Sequence, residues 1–396
     1  MPIQTPFHSR TAVLNERYEW RDWAGYFASS MYEPSHEREY YAIRNAAGLI
    51  DVTPLFKYEV TGPDALRLVD RVMTRNIAKC KVGQVMYTTW CDEEGKIIDD
   101  GTVARLAENH LRITAADPSL RWFQDVGYGL NADVVNVTED LAALALQGPN
   151  SRAILEQVVT GFDVSKLRFF YLGQGQIAER NVTITRTGYT GDLGYELWMD
   201  PQDAEVVWDC LLDVGQGYGL LPAGMFALDI SRIEAGLVMA DVDYISSTKA
   251  IIPAQKSSPF EIGLGWTVST KGADYIGKKA LLREKAVGSK WAFVGVQVDW
   301  NSLEKLFAAE DLPPSVAGRA SRASVPLYLH GKQIGQITSH TFSPILKDYI
   351  GIGTVLAQYG RSGLTVDMEF TVEYSRELAK ATIVKPPFFD PKRKRE

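Results

Sequence analysis

The hydrophobic pattern of the chain contains segments typical of strands and segments typical of helices. Alternating or β-branched hydrophobic residues predict strands at 182–186, 195–199, 293–298 and 333–338. Helices are predicted at 35–47, 203–214 and 226–237. Residues 301–322 mix charged residues with proline and alanine, which predicts a long loop. After Lys290, short strands and turns predominate, and this favours a separate small β domain within an α+β protein.

Two segments of the chain resemble each other. Residues 58–69 and 143–155 each contain a strand-like stretch, a Gly-Pro pair and a helix-like stretch. We predict a proline in the first turn of each helix, where its missing N–H costs nothing. Such a repeat predicts two pseudo-repeated α+β domains within 1–285, either consecutive or interleaved, followed by a C-terminal domain at 286–396. The alternative is that Gly-Pro is only a common way to enter a helix.

Composition and charge exclude several classes of protein. The 396 residues are 45% hydrophobic and 23% charged, as expected for a globular protein of two or three domains. A net charge of −7 disfavours binding to nucleic acid. The longest apolar runs, such as 141–146, are too short to cross a membrane, and the N-terminus lacks the pattern of a secretion signal. We therefore expect a cytoplasmic protein with no nucleic-acid or membrane partner, and a solvated basic segment at 392–395.

The cysteines and histidines predict neither a disulfide framework nor a metal site. Cys80, Cys91 and Cys210 are scattered, which suits a reducing compartment. The histidines show no metal-ligand spacing; they are His8, His36, His110, His330 and His340. We therefore assign no metal.

The stretch at 186–196 is the most informative in the chain. Its sequence, RTGYTGDLGYE, places a glycine-punctuated loop between two strands, so a tight hairpin is the simplest interpretation. It also resembles the R-x-G-Y-T-G-x-x-G-x-E signature of the glycine-cleavage T-protein (aminomethyltransferase) family. Further matches follow in the family's order at 46–52, 95–100, 147–149, 222–224, 232–236, 258–261, 275–281, 335–339 and 343–344. The chain is identified as a member on this shared order, which runs from about residue 20 to residue 389.

The resemblance implies a fold and a cofactor. Members have three small domains in a cloverleaf around a central folate channel, and their C-terminal domain is a distorted β-barrel. The strand-rich pattern after Lys290 agrees with that barrel. The implied activity is the transfer of a one-carbon unit between a small substrate and tetrahydrofolate.

Four residues match family positions at the folate site. Glu196 matches the carboxylate that accepts the adjacent N–H and amino groups of the pterin ring, a paired and charge-assisted contact. Tyr87 and Tyr189 match tyrosines that line the pterin pocket. Asp100 matches the catalytic aspartate, whose carboxylate orients the folate amine and stabilises positive charge developing on it. Asp99 is expected to be structural, because adjacent strand residues point to opposite faces.

Departures from the family pattern concern the expected donor side. Glycine-cleavage members usually have Ser-His-Met-Gly after the Asp-Val pair at 51–52, where this chain continues Thr-Pro-Leu-Phe to Phe56. They usually carry an arginine at the position of Leu228 and a smaller residue at that of Trp90. We therefore assign Phe56, Trp90 and Leu228 to an apolar substrate pocket, which suits an aromatic ring or a methylated cation. Neutral drift with repacking is the alternative.

Several functions are compatible with this pattern. The first is a tetrahydrofolate-dependent demethylase acting on a small donor such as an aromatic methyl ether, a sulfonium compound or a methylated amine. The second is a glycine-cleavage aminomethyltransferase that works with a lipoyl carrier protein. The third is a non-catalytic folate-binding accessory protein, but the Lys-Gly-Cys-Tyr stretch of such relatives is absent and Asp100 is retained. A flavin enzyme would need a Gly-x-Gly-x-x-Gly turn, which does not begin this chain.

Overall fold

A computed structural model of the protein describes residues 1–272 and 274–396. Its helices are α1 His8–Leu14, α2 Glu37–Asn45, α3 Ala65–Val72, α4 Leu120–Val126, α5 Ser151–Val158, α6 Ala204–Gly215, α7 Met225–Glu234, α8 Lys278–Val287 and α9 Trp300–Ala308. The strands of the first part are β1 Trp20–Trp23, β2 Tyr26–Ser29, β3 Ala47–Asp51, β4 Phe56–Thr61, β5 Val85–Cys91, β6 Ile97–Ala107, β7 His110–Ala115, β8 Asp133–Asn136, β9 Ala142–Gln147, β10 Val159–Thr160, β11 Leu172–Ile177, β12 Arg180–Thr185, β13 Gly194–Met199 and β14 Leu220–Pro222. The last part contains β15 Trp291–Val298, β16 Val325–Leu329, β17 Lys332–Ser343, β18 Asp348–Leu356, β19 Thr365–Val372 and β20 Ser375–Val384.

Two sheets form the first part of the molecule. One is antiparallel throughout, with five strands in the order β5-β6-β7-β4-β8. The other has seven strands in the order β10-β11-β12-β13-β9-β3-β14, of which only β14 runs parallel to its neighbour. Backbone hydrogen bonds join the sheets where β5 and β11 begin, from the Val85 N–H to the Phe170 carbonyl and from the Leu172 N–H to the Gly83 carbonyl. Each sheet has its own apolar core beneath its helices.

The C-terminal part is a closed six-stranded barrel. Its strands follow the order β15-β18-β17-β16-β19-β20, and β15 pairs with β20 to close it. The barrel and the two sheets confirm the expected α+β fold with a C-terminal barrel. The first barrel strand begins at Trp291, after helix α8 has crossed residue 285. The division into 1–285 and 286–396 remains a prediction.

Most predicted elements are present with shifted ends. The predicted helices correspond to α2, α6 and α7, and the predicted strands to β12, β13, β15 and β17. The long loop predicted at 301–322 was wrong in its first part, because α9 occupies Trp300–Ala308. The Asp299 side chain accepts a hydrogen bond from the Asn301 N–H and caps this helix. Leu303 and Phe307, four residues apart, bury one helical face in the barrel core.

The two Gly-Pro segments form the predicted strand, turn and helix, but the prolines precede the helices. Helix α3 begins at Ala65 and α5 at Ser151, so Pro63 and Pro149 lie before the first turn. Gly62 and Gly148 have φ angles of +112° and +126°. A Cβ at Gly148 would lie 2.7 Å from the Ala46 carbonyl oxygen. Glycine is therefore required there by both its conformation and its close neighbour.

The chain after the barrel returns to the first part of the molecule. The N–H groups of Phe388 and Phe389 donate to the Glu234 carbonyl at 2.8 and 2.9 Å. Arg393 then pairs with Asp192 through two hydrogen bonds of 2.7 and 2.8 Å. Asp192 lies inside the 186–196 loop, so this returning segment supports the signature loop from outside. Within the described ranges, no helix is long and apolar enough to cross a membrane.

Candidate functional site

Strand pairing decides which side chains share a face at the Asp99-Asp100 pair. Strands β5 and β6 pair with Thr89 opposite Asp100 and Trp90 opposite Asp99. Directly opposed residues of antiparallel strands lie on the same face, and neighbours along a strand alternate. Tyr87 therefore shares a face with Asp100, whereas Trp90 shares the other face with Asp99.

Asp100 is held by two tyrosine hydroxyls. The Tyr87 hydroxyl donates to Asp100 Oδ2 at 2.6 Å, and the Tyr244 hydroxyl donates to Oδ1 through a short hydrogen bond. Burial raises the pKa of Asp100, while the hydrogen bonds from Tyr244 and Tyr87 oppose that rise. Tyr244 was missed by sequence reasoning, since no spacing ties a tyrosine 144 residues downstream to Asp100. The result is a partly buried carboxylate in a fixed orientation.

Asp99 anchors the backbone beside it. Its Oδ2 accepts from the N–H groups of Ala116 and Asp117 at 3.0 and 2.9 Å. Its Oδ1 accepts from the Asp100 N–H at 2.8 Å and from the Tyr244 hydroxyl at 3.2 Å. Burial and the charge of Asp100 raise the pKa of Asp99 well above its usual range. The three backbone N–H groups that donate to it suit a structural role.

An aromatic surface extends from Tyr87 toward solvent. The Tyr87 ring stacks on Trp266, with ring centroids 5.8 Å apart and an angle of 22° between the planes. Arg75 lies over the same tryptophan, 5.3 Å from its ring centroid. Trp266 is 60% exposed. A flat ligand that reaches Asp100 would find aromatic contact beside it.

Gln147 connects the Gln-Gly-Pro motif to the signature loop. Its side-chain amide donates to the carbonyls of Thr187 and Tyr195, both at 3.3 Å. A Cβ at Gly188 would lie 2.0 Å from Gln147 Oε1, and one at Gly194 would lie 2.2 Å from the same atom. A side chain at either glycine would therefore displace the Gln147 amide from its hydrogen bonds to the loop backbone.

The signature loop carries Tyr189 to the Asp100 side of the molecule. The Tyr189 hydroxyl donates a short hydrogen bond to the Val238 carbonyl. Val238 and Tyr244 belong to one buried apolar cluster, against which Tyr87 also packs. Burial raises the pKa of the Tyr189 hydroxyl, and the nearby Arg232 lowers it.

Glu196 faces a cavity between the two sheets. The cavity is small, with a volume of about 10 Å³ open to a water-sized molecule, which is room for about one water. It is lined from the five-stranded sheet by Val85, Thr102, Ala104, Leu106, Arg112 and Thr114, and from the seven-stranded side by Leu172, Thr183, Thr185, Thr187, Glu196 and Trp198. Glu196 Oε2 accepts from the Thr187 hydroxyl at 2.7 Å and from the Thr185 hydroxyl at 3.4 Å. Burial raises the pKa of Glu196.

Glu196 lines this cavity together with a residue from the sheet face that carries Asp100. Thr102 lies two residues beyond Asp100 on β6, hence on the same face, and it lines the cavity together with Glu196. The structure thus brings Tyr87 and Asp100 from one sheet toward Tyr189 and Glu196 from the other. No group of histidine, cysteine or acidic residues in the described part of the chain could hold a metal ion.

The three residues assigned to the donor pocket lie in different places. Trp90 is 0% exposed and packs 5.6 Å from Phe123 in the core of the five-stranded sheet. Strand alternation therefore places it away from the face of Asp100. Phe56 packs at the edge of that same core. Leu228, on α7, lies in a separate apolar cluster that also contacts Tyr189. Only Leu228 is brought near an expected folate residue.

Comparisons with known proteins decide the family. The model of the GCVT N-terminal domain matches residues 5–272, and the model of the glycine cleavage T-protein C-terminal barrel domain matches residues 315–390. The chain belongs to the glycine-cleavage T-protein family. The family expected from the signature loop is thereby confirmed.

Individual relatives align with most or all of the chain. The aminomethyltransferase of Halothermothrix orenii is 35% identical over 354 residues, covering 88% of this chain and 90% of its own length. The trimethylamine-oxide aldolase of Ruegeria pomeroyi is 33% identical over an alignment covering 100% of this chain but 48% of that protein. The aminomethyltransferase T structure of the Bartonella henselae glycine cleavage system has a TM-score of 0.82 at 23% identity, covering 98% of this chain and 99% of the other.

These findings fix the class of activity. A T-protein family member with aminomethyltransferase relatives over most of its length is an enzyme that transfers one-carbon groups. The Bartonella henselae structure supports the fold.

Proposed function

We propose that the protein transfers a one-carbon unit from a small, non-glycine donor to tetrahydrofolate, with Asp100 as the catalytic residue. The observation that carries this proposal is the partly buried Asp100 carboxylate held by the hydroxyls of Tyr87 and Tyr244. Such a carboxylate is oriented before the reaction begins, so it can stabilise positive charge that develops on a folate amine without reorganising.

Tetrahydrofolate would contact residues from both sheets. Glu196 uses Oε2 for its threonine contacts, while Oε1 accepts no hydrogen bond from the residues that the structure describes. The carboxylate can therefore still accept from the neighbouring N–H and amino groups of a pterin. Tyr189 and Tyr87 would contact the flat ring near Asp100.

The donor side favours an apolar molecule. Leu228, which replaces the arginine usual in glycine-cleavage members, is 5% exposed in an apolar cluster against which Tyr189, Trp23 and Leu55 pack. This surface suits an aromatic methyl ether better than a charged aminomethyl carrier. Methyl transfer would give 5-methyl-tetrahydrofolate, and a donor carbon at the formaldehyde level would give 5,10-methylene-tetrahydrofolate. A cytoplasmic location remains a prediction.

A second candidate is aminomethyl transfer from a lipoyl carrier protein, as in glycine cleavage. The relatives favour it, because proteins named aminomethyltransferase are 32–35% identical over about 90% of their length. The same Asp100 and Glu196 would act on the folate side in both cases. The two candidates differ only in the donor.

The experiment that separates them offers both kinds of donor to one enzyme. Purified protein with tetrahydrofolate is given either aminomethylated lipoyl carrier or a panel of methyl ethers, sulfonium compounds and methylated amines, and the folate products are quantified. We expect turnover from the panel that is abolished in Asp100→Asn. Efficient turnover of the carrier, with none of the panel used, would establish the second candidate instead.

A further inference from the structure

Two guanidinium groups lie over one aromatic ring at the start of α7. Arg21 is 4.7 Å and Arg319 is 4.1 Å from the centroid of the Phe226 ring. Phe226 itself is 2% exposed. Arg21 comes from β1 and Arg319 from the segment before the barrel's second strand, so separate parts of the chain bring positive charge to this point.

The buried carboxylate of Asp229 lies within 4 Å of three arginines near the Phe226 ring. The Asp229 side chain, which is 2% exposed, lies 3.2 Å from Arg232 Nε and 2.8 Å from Arg322 Nε. Arg21 Nη1 reaches it only at 3.9 Å. The Arg322 and Arg21 side chains remain 31% and 34% exposed, so an incoming molecule can reach them.

The charges of this group do not balance. Arg232 has a second partner in Asp243 at 2.6 Å, and Arg319 pairs with Glu19 at 2.9 Å. With Arg21 and Arg322, four guanidiniums thus contact three carboxylates. One positive charge is left over in a partly buried place, where solvent screens it poorly.

Two of the arginines retain unused donors. No hydrogen bond runs from the Arg21 guanidinium to any residue of the described ranges. Arg322 faces Asp229 Oδ2 with Nε at 2.8 Å and with the buried Nη2 at 2.7 Å, whereas its Nη1 donates no hydrogen bond to any described residue. Burial and the neighbouring Arg322 lower the pKa of Arg21. A bound anion would raise the pKa of Arg21 and so counteract this lowering.

This group lies beside the proposed donor side. Asp229 directly follows Leu228 on α7. After the effect of burial, Arg232 lowers the pKa of the Tyr189 hydroxyl, while Asp100 and Asp229 raise it. Tyr189 is therefore within electrostatic range of both the catalytic carboxylate and the arginine group.

We propose that Arg21 and Arg322 bind a carboxylate of the one-carbon donor, which makes the donor a small organic anion with an apolar body against Leu228 and Tyr189. The inference rests on the proposed function, since it names the substrate class of the same site. A planar guanidinium matches a carboxylate with two parallel hydrogen bonds, and Arg322 is already oriented by Asp229.

Binding of unreactive probes tests the inference without turnover. Benzoate and its neutral counterpart benzamide are titrated calorimetrically into the full-length protein saturated with tetrahydrofolate. We expect benzoate to bind about tenfold or more tightly than benzamide, and Arg21→Gln and Arg322→Gln each to weaken benzoate binding about tenfold, the scale of one lost charged hydrogen bond. Arg38→Gln is the matched control, because Arg38 is exposed and its one ion pair with the described residues is with Glu33 at 2.9 Å.

Folding is checked by the melting temperature of each variant. Arg21→Gln removes a 3.9 Å contact to Asp229 and the contact with the Phe226 ring but no hydrogen bond, so it remains informative even if Arg322→Gln unfolds the protein. Equal binding of benzoate and benzamide, or benzoate binding unaffected by Arg21→Gln, would overturn the inference. So would a variant that loses affinity for tetrahydrofolate instead, because the carboxylate would then be the glutamate of folate.

A turnover arm separates this inference from the proposed function. 4-Methoxybenzoate and 4-methoxybenzamide are compared as donors, with folate products as the readout. Arginine-dependent benzoate binding without any folate product from the wider donor panel would retain the anion site and refute the proposed function. Equal turnover of the acid and the amide would support the proposed function and refute the anion site.

Discussion

Asp100→Asn tests the catalytic assignment most directly. Asparagine keeps the shape of the side chain and one carbonyl oxygen, but one of the two tyrosine hydroxyls then faces an NH₂ group instead of a carboxylate oxygen. Losing that hydrogen bond costs about 1.5–3 kcal/mol, and removing a buried charge offsets part of the loss. We therefore expect the free energy of unfolding to change by less than about 2 kcal/mol, whereas turnover falls about 10²-fold or more, the scale of one lost electrostatic stabiliser.

The assay measures single-turnover rates with tetrahydrofolate and a donor, calorimetric folate affinity, and denaturant unfolding. Asp99→Asn is the matched control, because it replaces the acceptor of three backbone hydrogen bonds and should lower stability more than the rate constant of folded enzyme. If Asp99→Asn slowed folded enzyme more than Asp100→Asn did, the catalytic assignment would be refuted.

The pH dependence follows from the same carboxylate. Because burial raises the pKa of Asp100, its active, ionised form is lost as the pH falls through that raised value. The wild-type rate should therefore have an acid limb at a higher pH than an ordinary aspartate would give. Asp100→Asn should lack this limb, and a persisting limb would assign it to another group.

Three further substitutions probe the surrounding residues. Tetrahydrofolate should raise the melting temperature of the wild type, and Glu196→Ala should largely remove that rise; an unchanged rise would mean that the signature loop is only a hairpin. Tyr244→Phe removes a hydrogen bond that holds the pKa of Asp100 down, so the acid limb of the pH–rate profile should move to higher pH, and an unmoved limb would contradict this. Trp90→Ala should cost about 3–5 kcal/mol in denaturant unfolding while folded protein keeps its folate affinity; a negligible cost would contradict its place in the core.

The part of the site that follows from local sequence was predictable. Glycine spacing located the signature loop, and strand alternation separated Asp99 from Asp100. The same alternation could have excluded Trp90, since three positions separate it from Tyr87 on one strand. The bulk and low polarity of Trp90 favour a donor pocket, but the direction of its side chain on the strand places it in the core.

The part that depends on distant segments was not predictable from spacing. Tyr244 reaches Asp100 across 144 residues, and Arg322 reaches Asp229 across 93. Such contacts depend on how the sheets, α7 and the barrel pack together, and this packing leaves no periodic pattern in the chain. Helix α9 differs, because the spacing of Leu303 and Phe307 was visible but was outweighed by the prolines further on.

The ion pair between Asp192 and Arg393 has a consequence for protein synthesis. The two residues are 201 positions apart, so at roughly 5–20 residues per second the ribosome needs about 10–40 s to make the second after the first. During that interval Asp192 has only Arg44, at 3.8 Å, as a cationic neighbour within the described part of the chain. A nascent chain stalled inside the barrel would therefore carry a complete signature loop that contacts Gln147 and Arg44 but lacks the ion pair with Arg393. The support that Arg393 gives the signature loop is accordingly added only after the barrel has been synthesised.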